Sequence, residues 1–262
     1  MSTAPSSVVV HSTAEVLAEA VAARLVTRLV DAQSARGWAH LVLTGGSIGI
    51  AVLRALRDSP ARDAVDWAHL DVWWGDERFL ASGDPERNET QAREALIDHV
   101  RLDPGRVHPM PPSDGTDGDD PEAAAERYAD LLAEHTTPAD HAGVPAFDVL
   151  LLGMGPDGHT ASLFPEQPAL HEAERTVVAV RGAPKPPPRR LTLTFPAIAA
   201  AQEIWIVVAG RDKAPAVRMA LSDAGPVQVP AAGARGVRAT RWLLDRAAAS
   251  QLPPGLDRVA SP

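Results

Sequence analysis

A histidine follows three closely spaced glycines in residues 153–159, which read Gly-Met-Gly-Pro-Asp-Gly-His. The unperturbed imidazole pKa of about 6.5 lets a histidine accept a proton from water near neutral pH. Asp157, two positions before His159, could orient either the imidazole or the water. Backbone N–H groups of the segment from Gly153 to Gly158, which includes Gly155, could stabilise negative charge on a carbonyl oxygen under attack. The segment is therefore typical of a hydrolytic site, although a lone histidine often caps a helix or satisfies a hydrogen bond in the core.

A second glycine-rich turn, Gly45-Gly46-Ser47, stands between a predicted strand and a predicted helix. Glycines let the backbone come close to a ligand, and free N–H groups at the start of a helix attract anions such as phosphate. The Ser47 hydroxyl could add a further hydrogen bond. The same residues also suit an ordinary turn with Ser47 as the helix N-cap, so both interpretations stay open.

Charged residues elsewhere could complete an anion-binding site. Asp76 and Arg78 follow another predicted strand, and Lys213 follows a fourth. An arginine binds phosphate through two parallel hydrogen bonds, and a lysine binds it as a point charge. Arg190 ends the proline-rich segment 184–190, which could form the rim of a pocket, although a connecting loop is the simpler interpretation. All four residues are candidates for substrate binding.

The spacing Gly153-x-Gly155-x-x-Gly158 also matches the fingerprint of dinucleotide-binding proteins. Asp157, however, would place a carboxylate where the pyrophosphate must lie. Pro165 leaves room for only one or two turns of helix, whereas the fingerprint opens a long helix. The first strand-turn-helix of the chain, where the fingerprint usually lies, carries a different sequence. We therefore expect no dinucleotide cofactor.

We also expect no metal ion. Four side chains could gather around one ion, namely those of Asp76, Glu77, Asp157 and His159. The chain nevertheless lacks the H-x-x-x-H spacing of many zinc sites. Counted from Asp114, the acidic segment 114–120 lacks the glycine at position six and the glutamate at position twelve of a calcium-binding loop, and it is expected to be a solvated loop. The absence of cysteine excludes thiolate sites, disulfides and cysteine nucleophiles.

The elements that must position these residues are strands of a mostly parallel sheet. Buried strands are predicted at 41–44, 70–74, 147–152 and 203–209, and each runs directly into one of the four motifs. In open parallel sheets, ligands bind beyond the carboxyl ends of the strands, near the point where the winding reverses. We therefore expect the motifs to converge on one pocket, although loops at such positions are also often plain turns.

Strands alternate with helices, which indicates an α/β fold with helices on both faces of the sheet. A capping box of Ser12 and Glu15 is expected to begin the first helix. Later helices are predicted at 48–57, 86–99, 122–135, from 213 to 221 and after a last strand at 241–244, and further strands near 8–10, 177–180 and 191–194. Without a repeat or a long linker, we predict one domain at 8–250, a flexible N-terminus at 1–7 and a C-terminal tail at 251–262.

Composition limits the class of partner and the compartment. The chain has 262 residues and a formal net charge of -9, which argues against a nucleic-acid-binding surface. A few basic groups in a cleft can still hold one phosphate. No apolar run approaches the length of a membrane span, and the first residues lack the pattern of a signal peptide. We expect a cytoplasmic protein with a small-molecule substrate and no membrane or nucleic-acid partner.

These motifs resemble the signature segments of the 6-phosphogluconolactonase family. The similar segments are residues 44–47 (Thr-Gly-Gly-Ser), 74–78 (Trp-Gly-Asp-Glu-Arg) and 153–165, whose second half reads Gly-His-Thr-Ala-Ser-Leu-Phe-Pro. Segments 185–190 and 213–214 also fall where later motifs of that family lie. The resemblance covers most of the chain, and the segment around His159 is highly specific.

The resemblance implies a Rossmann-like domain shared with sugar-phosphate isomerases and deaminases. It also implies hydrolysis of 6-phosphoglucono-1,5-lactone to 6-phosphogluconate in the oxidative pentose phosphate pathway, without an organic cofactor. By the same resemblance, His159 would be the catalytic base, with Asp157 and the neighbouring glycines beside it. The phosphate would be bound by Gly45, Gly46, Ser47, Arg78 and Lys213. The family often continues the first motif with Thr-Pro, where this chain has Ile48-Gly49, so the chain departs from the family pattern at these two positions.

Two other functions remain to be distinguished from the lactonase. Glucosamine-6-phosphate deaminases have a similar phosphate loop, but usually follow the histidine with Ile-Ala-Phe-Asn where this chain has Thr-Ala-Ser-Leu at 160–163. A non-catalytic sugar-phosphate-binding regulator would need an added DNA-binding module, for which the chain is too short. The sequence therefore favours the lactonase and leaves the oligomeric state open.

Overall fold

A computed structural model describes residues 5–138, 140–222, 224–253, 255–256 and 258–260 of the chain. The strands in this part are β1 (Ser6–His11), β2 (Ala39–Leu43), β3 (Leu70–Trp74), β4 (Asp76–Arg78), β5 (Val107–His108), β6 (Val149–Leu152), β7 (Val177–Val180), β8 (Arg190–Leu193), β9 (Glu203–Val208), β10 (Ala239–Asp245) and β11 (Arg258–Ala260). Eight of them form a parallel sheet in the order β11-β1-β10-β9-β6-β2-β3-β5.

Helices cover this sheet. They are α1 (Ala14–Arg36), α2 (Gly46–Asp58), α3 (Asn88–Ala95), α4 (Pro121–Glu134), α5 (Phe195–Ala199) and α6 (Ala214–Ala220), joined by short 3-10 turns. Every residue of β2, β3 and β6 is buried. Because successive side chains of a strand point to opposite faces, complete burial means that both faces of the sheet are covered. The predicted α/β fold with a mostly parallel sheet is confirmed.

The winding of the sheet reverses between β2 and β6, which are hydrogen-bonded neighbours. From β2 the chain proceeds through β3 to β5 at one edge, whereas from β6 it proceeds through β9 and β10 towards the other edge. A crevice forms beyond the carboxyl ends of the strands at such a reversal, because the loops on either side run in opposite directions. The segments after β2 and β6 are the two glycine-rich motifs.

A small antiparallel sheet, β4-β8-β7, stands beside the main one. Only Gly75 separates β3 from β4, and its backbone bridges the two sheets through its N–H to Leu43 and its carbonyl to Leu193. The expectation of a loop at Asp76-Glu77-Arg78 is wrong, because these residues are β4. A strand of three residues shows no alternating pattern, and its partner β8 lies more than 100 residues further along the chain.

Three predicted helix boundaries are wrong at their starts or ends. The first helix is capped by Thr13, whose Oγ1 accepts a hydrogen bond from Val16 N at 3.2 Å, and not by the predicted Ser12–Glu15 box. α2 begins at Gly46, two residues before the predicted start. α3 covers only the middle of the predicted helix 86–99, which ends in a 3-10 turn, Ile97–His99.

The two ends of the described chain differ in secondary structure from the prediction. β1 begins at Ser6, within the segment predicted to be flexible, and pairs with β10. After β10 the chain forms a 3-10 turn, Ala248–Gln251, in place of the predicted helix. β11 then pairs with β1 from within the predicted tail. Residues 1–4 and 261–262 lie outside the described residues, and the domain boundaries stay a prediction.

Candidate active site

A cavity of about 280 Å³ opens at the carboxyl ends of β2, β6 and β9. All four sequence motifs reach it, because their strands are neighbours in the part of the sheet where the winding reverses. The predicted site residues that line it are Gly45, Gly46, Ser47, Asp76, Arg78, Gly155, His159, Arg190 and Lys213. Of the remaining two, Asp157 contacts His159 from behind, and Gly158 lies in the turn beneath.

His159 and Asp157 form a close pair in the turn that follows β6. His159 Nδ1 lies 2.5 Å from Asp157 Oδ1, and the His159 backbone N–H reaches the same oxygen at 3.3 Å. Partial burial alone would raise the pKa of Asp157, but the hydrogen bond and charge of His159 outweigh it and lower the pKa to about 2. Asp157 is therefore ionised and holds Nδ1–H, which leaves Nε2 of the imidazole to take a proton.

Gly155 and Gly158 shape the turn that carries this pair. A Cβ at position 155 would lie 2.1 Å from Cε1 and Nδ1 of His159, so only glycine leaves room for the ring. Gly158 has φ +83°, a left-handed conformation that favours glycine. Gly155 N–H donates to His159 O at 3.0 Å, and Gly158 N–H donates to Gly155 O at 3.0 Å.

The N–H groups of Gly155 and Gly158 therefore offer no free donor for the predicted oxyanion role, which for the rest of the segment 153–158 stays a prediction. Both N–H groups close the turn on itself, and the N–H of Gly153 donates to Thr44 Oγ1 at 3.2 Å. A donor that is already satisfied inside the protein is not free to stabilise negative charge on a substrate. The sequence could not indicate this, because the direction of an N–H group depends on the backbone angles of the folded turn.

The start of α2 forms the second wall of the cavity. Gly45 is the N-cap, no side chain caps the helix, and its first turn carries no acidic residue. The alternative interpretation, with Ser47 as N-cap, is wrong, since Ser47 is already helical. Uncapped N–H groups and the positive end of the helix dipole face the cavity, which is the arrangement that attracts a phosphate.

Arg78 and Lys213 bring positive charge to the cavity. Arg78 donates from one guanidinium nitrogen to Glu86 O at 2.6 Å, and its Nε is buried without a hydrogen-bond partner among the described residues. Lys213 Nζ lies 2.5 Å from Asp212 Oδ2. Each side chain therefore has a local anchor and retains donors that a substrate anion could accept.

Asp76 and Arg190 lie deeper in the wall than expected. Asp76 is buried and accepts a hydrogen bond from Ser162 Oγ at 2.7 Å, with Arg190 4.0 Å away. Arg190 donates to the backbone carbonyls of Lys185, Pro186 and Pro187 at 3.1 Å each. Asp76 therefore organises the wall, and Arg190 holds the proline-rich loop over the cavity.

Two polar lining residues, Asn88 and Lys185, were not among the predicted site residues, although the segment that contains Lys185 was considered as a rim of the pocket. Asn88 opens α3, and its Nδ2 donates to Asp76 O at 2.8 Å. Lys185 reaches the cavity from the loop between β7 and β8. Neither residue follows a strand of the main sheet, so the strand-end rule could not select them. The basic residue inside the proline-rich segment was the one local signal for Lys185.

Glu77 lies directly behind Arg78 and is fully buried. It accepts hydrogen bonds from three backbone N–H groups, those of Arg78 at 2.8 Å, Asn88 at 2.6 Å and Glu89 at 2.9 Å. Burial raises its pKa to about 7, although Arg87 and these donors favour the ionised form. Glu77 thus ties β4 to the start of α3 and sets the positions of two residues that line the cavity.

One group of side chains in the described residues has the spacing of metal ligands, and it lies away from the cavity. Potential ligand atoms of Asp71, His108 and His135 lie within 4.8 Å of one another, near the amino end of β3. Asp71 already accepts from His108 Nε2 at 2.9 Å and from Arg106 at 2.6 Å. The group is complete as a hydrogen-bond network. The four side chains considered from the sequence form no such group among the described residues.

Comparison with known proteins identifies the family. The sequence profile of the glucosamine-6-phosphate isomerases/6-phosphogluconolactonase family matches residues 12–242. The chain belongs to this family. Within it, the 6-phosphogluconolactonase of Streptomyces coelicolor is 63% identical over 253 residues, which cover 97% of either chain. The 6-phosphogluconolactonase of Mycobacterium tuberculosis is 50% identical over 95% of this chain and 99% of its own.

Solved structures of family members share the fold. The 6-phosphogluconolactonase from Trypanosoma brucei superposes with a TM-score of 0.82 at 27% identity, over 96% of this chain and 100% of its own. A monomeric glucosamine-6-phosphate deaminase superposes with a TM-score of 0.73 over 93% of this chain and 99% of its own, but at 24% identity that likeness shows the fold alone. Throughout the described part of the chain, each helix lacks the length or the apolar character that crossing a membrane would demand.

Proposed function

We propose that this chain hydrolyses 6-phosphoglucono-1,5-lactone to 6-phosphogluconate, with His159 activating the attacking water. The observation that carries the proposal is the His159–Asp157 pair, which lies on the same cavity as the uncapped start of α2. A phosphorylated lactone needs both features, since one end carries an anion and the other carries the ester to be cleaved. Relatives that share 63% and 50% of their residues with this chain bear the name 6-phosphogluconolactonase.

In the reaction, Nε2 of neutral His159 takes a proton from water as the oxygen attacks the lactone carbonyl. Ionised Asp157 fixes the ring and stabilises the imidazolium that forms. The tetrahedral intermediate then collapses with cleavage of the bond between the carbonyl carbon and the ring oxygen. His159 returns its proton to that oxygen, and the product is the open-chain acid. General-base catalysis of this kind contributes on the order of 10² to 10⁴ in rate.

The phosphate binds at the start of α2. N–H groups of Gly46 and Ser47 donate to its oxygens, and Arg78 and Lys213 supply positive charge. This contact is the same in the ground state and the transition state, so it lowers KM more than it raises kcat. No residue of the site requires an organic cofactor for this chemistry.

The decisive test offers 6-phosphogluconolactone and glucosamine 6-phosphate to the same preparation. Acid release from the first, measured in a pH-stat above the uncatalysed rate, with no ammonia from the second, is the expected result. Ammonia release would instead support the deaminase.

His159→Ala should lower kcat by at least about 10²-fold, while Arg78→Ala and Lys213→Ala should mainly raise KM. A His159→Ala variant with near-normal kcat would remove His159 from its proposed role.

The substrate class and the compartment follow from the same proposal. The partner is a small phosphorylated sugar lactone of the pentose phosphate pathway, and we place the protein in the cytoplasm. Fractionation of cells and detection of the chain in the soluble fraction would test the location separately from the activity.

A further inference from the structure

The chain contains only two lysines among 25 basic residues, and both line the cavity. One is Lys213, already placed at the phosphate. The other is Lys185, at the tip of the loop between β7 and β8. A sequence that uses arginine almost everywhere else keeps the compact ammonium group at these two positions. Lysine and arginine are not interchangeable where a point charge must fit a small space.

Lys185 differs from the other cations of the cavity in its lack of a partner. Arg78 donates to the Glu86 carbonyl, Arg190 donates to loop carbonyls, and Lys213 pairs with a carboxylate. Lys213 has an ion pair and a hydrogen bond to Asp212, whereas Lys185 Nζ has neither a hydrogen bond nor an ion pair among the described residues. The side chain is nevertheless half-buried. Lys185 Nζ is not one of the buried side-chain atoms without a partner, so the ammonium group is accessible to a ligand that supplies the opposite charge.

The loop around Lys185 is held by several fixed contacts. The carbonyls of Lys185 and Pro186 accept hydrogen bonds from Arg190, and Ala183 N–H donates to Pro188 O at 2.9 Å. The two arms of the hairpin are pinned by ion pairs of Arg181 with Glu122 and of Arg189 with Asp119. The ammonium group is therefore presented to the cavity by a braced loop.

Lys185 and His159 line the same cavity, as does Lys213. Burial lowers the pKa of Lys185, and the charges of Lys213 and Arg190 lower it further, whereas the charge of Asp157 raises it. Lys185 therefore has charged neighbours both beside His159, where the lactone carbonyl must be attacked, and at Lys213. The phosphate already has Lys213, Arg78 and the start of α2, so the His159 end is the one that lacks a cation of its own. That is also the end at which the glycine N–H groups are already used within their own turn.

We propose that the Lys185 ammonium group binds the carbonyl oxygen of the lactone and stabilises the negative charge that develops there as water attacks. This inference rests on the proposed lactonase activity and supplies the oxyanion partner that the glycine turn does not provide. A donor aimed at a developing oxyanion contributes about 10² to 10³ in kcat. The contact strengthens as charge moves onto oxygen, so its loss lowers kcat more than it raises KM.

The test compares Lys185→Met, which keeps the aliphatic stem without the charge, with Lys185→Arg and Lys213→Met. We expect Lys185→Met to lower kcat for 6-phosphogluconolactone by about 10²-fold or more with KM changed only a few-fold, and Lys185→Arg to recover part of the loss. Lys213→Met should instead raise KM. Unphosphorylated glucono-1,5-lactone should lose rate with Lys185→Met but not with Lys213→Met.

Two results would overturn the assignment. One is a Lys185→Met variant with normal kcat and raised KM, which would place Lys185 at the phosphate. The other is unchanged kinetics in both substrates. The unfolding temperature of each variant, compared with that of the unmodified chain, shows whether the substitution has disrupted the loop. If Lys185→Met is unstable, the kinetics of Lys185→Arg still test whether Lys185 acts on kcat or on KM. A wild-type chain without lactonase activity would refute the proposed function. Failure of the Lys185 assignment would instead be seen only in the variants, with the wild-type chain active.

Discussion

Replacement of Gly155 by alanine tests the geometry of the His159–Asp157 pair most directly. The new Cβ would lie 2.1 Å from the imidazole and 2.4 Å from Asp157 Oδ1, whereas ordinary contacts begin at 3.4 Å. The backbone at Gly155 is not in the left-handed region, so alanine is compatible with the chain conformation. The conflict is therefore between side chains, and the ring must move by more than about 1 Å to relieve it.

A displacement of this size has a predictable cost. Misplacing a catalytic group by about 1 Å reduces the rate by about 10²-fold, because the reacting atoms leave their productive geometry. The hydrogen bond of 2.5 Å between His159 and Asp157 is also broken or redirected. We expect Gly155→Ala to lower kcat by about 10²-fold while KM changes little, since the start of α2 is untouched.

Gly153→Ala provides the matched control from the same segment. Its Cβ would meet Thr44 Oγ1 at 3.7 Å, an ordinary contact, and its backbone is also outside the left-handed region. Both variants are measured for lactone hydrolysis in a pH-stat, and their unfolding temperatures are compared. Near-normal kcat in Gly155→Ala, or an equal loss in both variants, would refute the reasoning from the position of the ring.

Two further predictions concern a residue behind the cavity and a contact in its wall. Burial raises the pKa of Glu77 to about 7 from an ordinary 4.5, so at intermediate pH the folded chain keeps a proton that the unfolded chain has released. Stability should therefore fall as pH rises through this window, and Glu77→Gln should flatten the dependence of unfolding temperature on pH; parallel curves would contradict this. A Cβ at Gly45 would lie 1.9 Å from Asn88 Oδ1, and all three of its nearest atoms belong to that side chain. Gly45→Ala should thus lower the unfolding temperature markedly alone and only slightly in an Asn88→Ala background, as a double-mutant cycle would reveal.

Much of the fold and of the site was predictable because it depends on local patterns. Buried strands followed by glycine-rich or charged segments predicted β2, β3, β6 and β9 and the edge at which their loops meet. The parallel arrangement then places those loops together, as rules for open sheets require. His159, Asp157 and the turn at Gly45 lie on or beside the cavity for this reason.

Other features required the folded chain. The strand at Asp76–Arg78 exists because its backbone pairs with β8, a contact between distant segments that no local pattern records. Asn88 reaches the cavity from a helix that Glu77 anchors, and Lys185 reaches it from a loop of the small sheet. Each of these positions depends on packing between elements that are far apart in sequence.

The amino-acid sequence alone determined the alternation of the main parallel strands with helices, the residue types available for chemistry and the edge of the sheet at which they gather. Periodicity and turn chemistry act over a few residues, so they can be read from neighbouring positions. The tertiary structure alone decided which donors face the substrate. The N–H groups of Gly155 and Gly158 form hydrogen bonds within their own turn, because the direction of an N–H group is set by the folded backbone and not by residue type. Lys185, by contrast, lines the cavity and has no ion pair within the part of the chain that the structure describes.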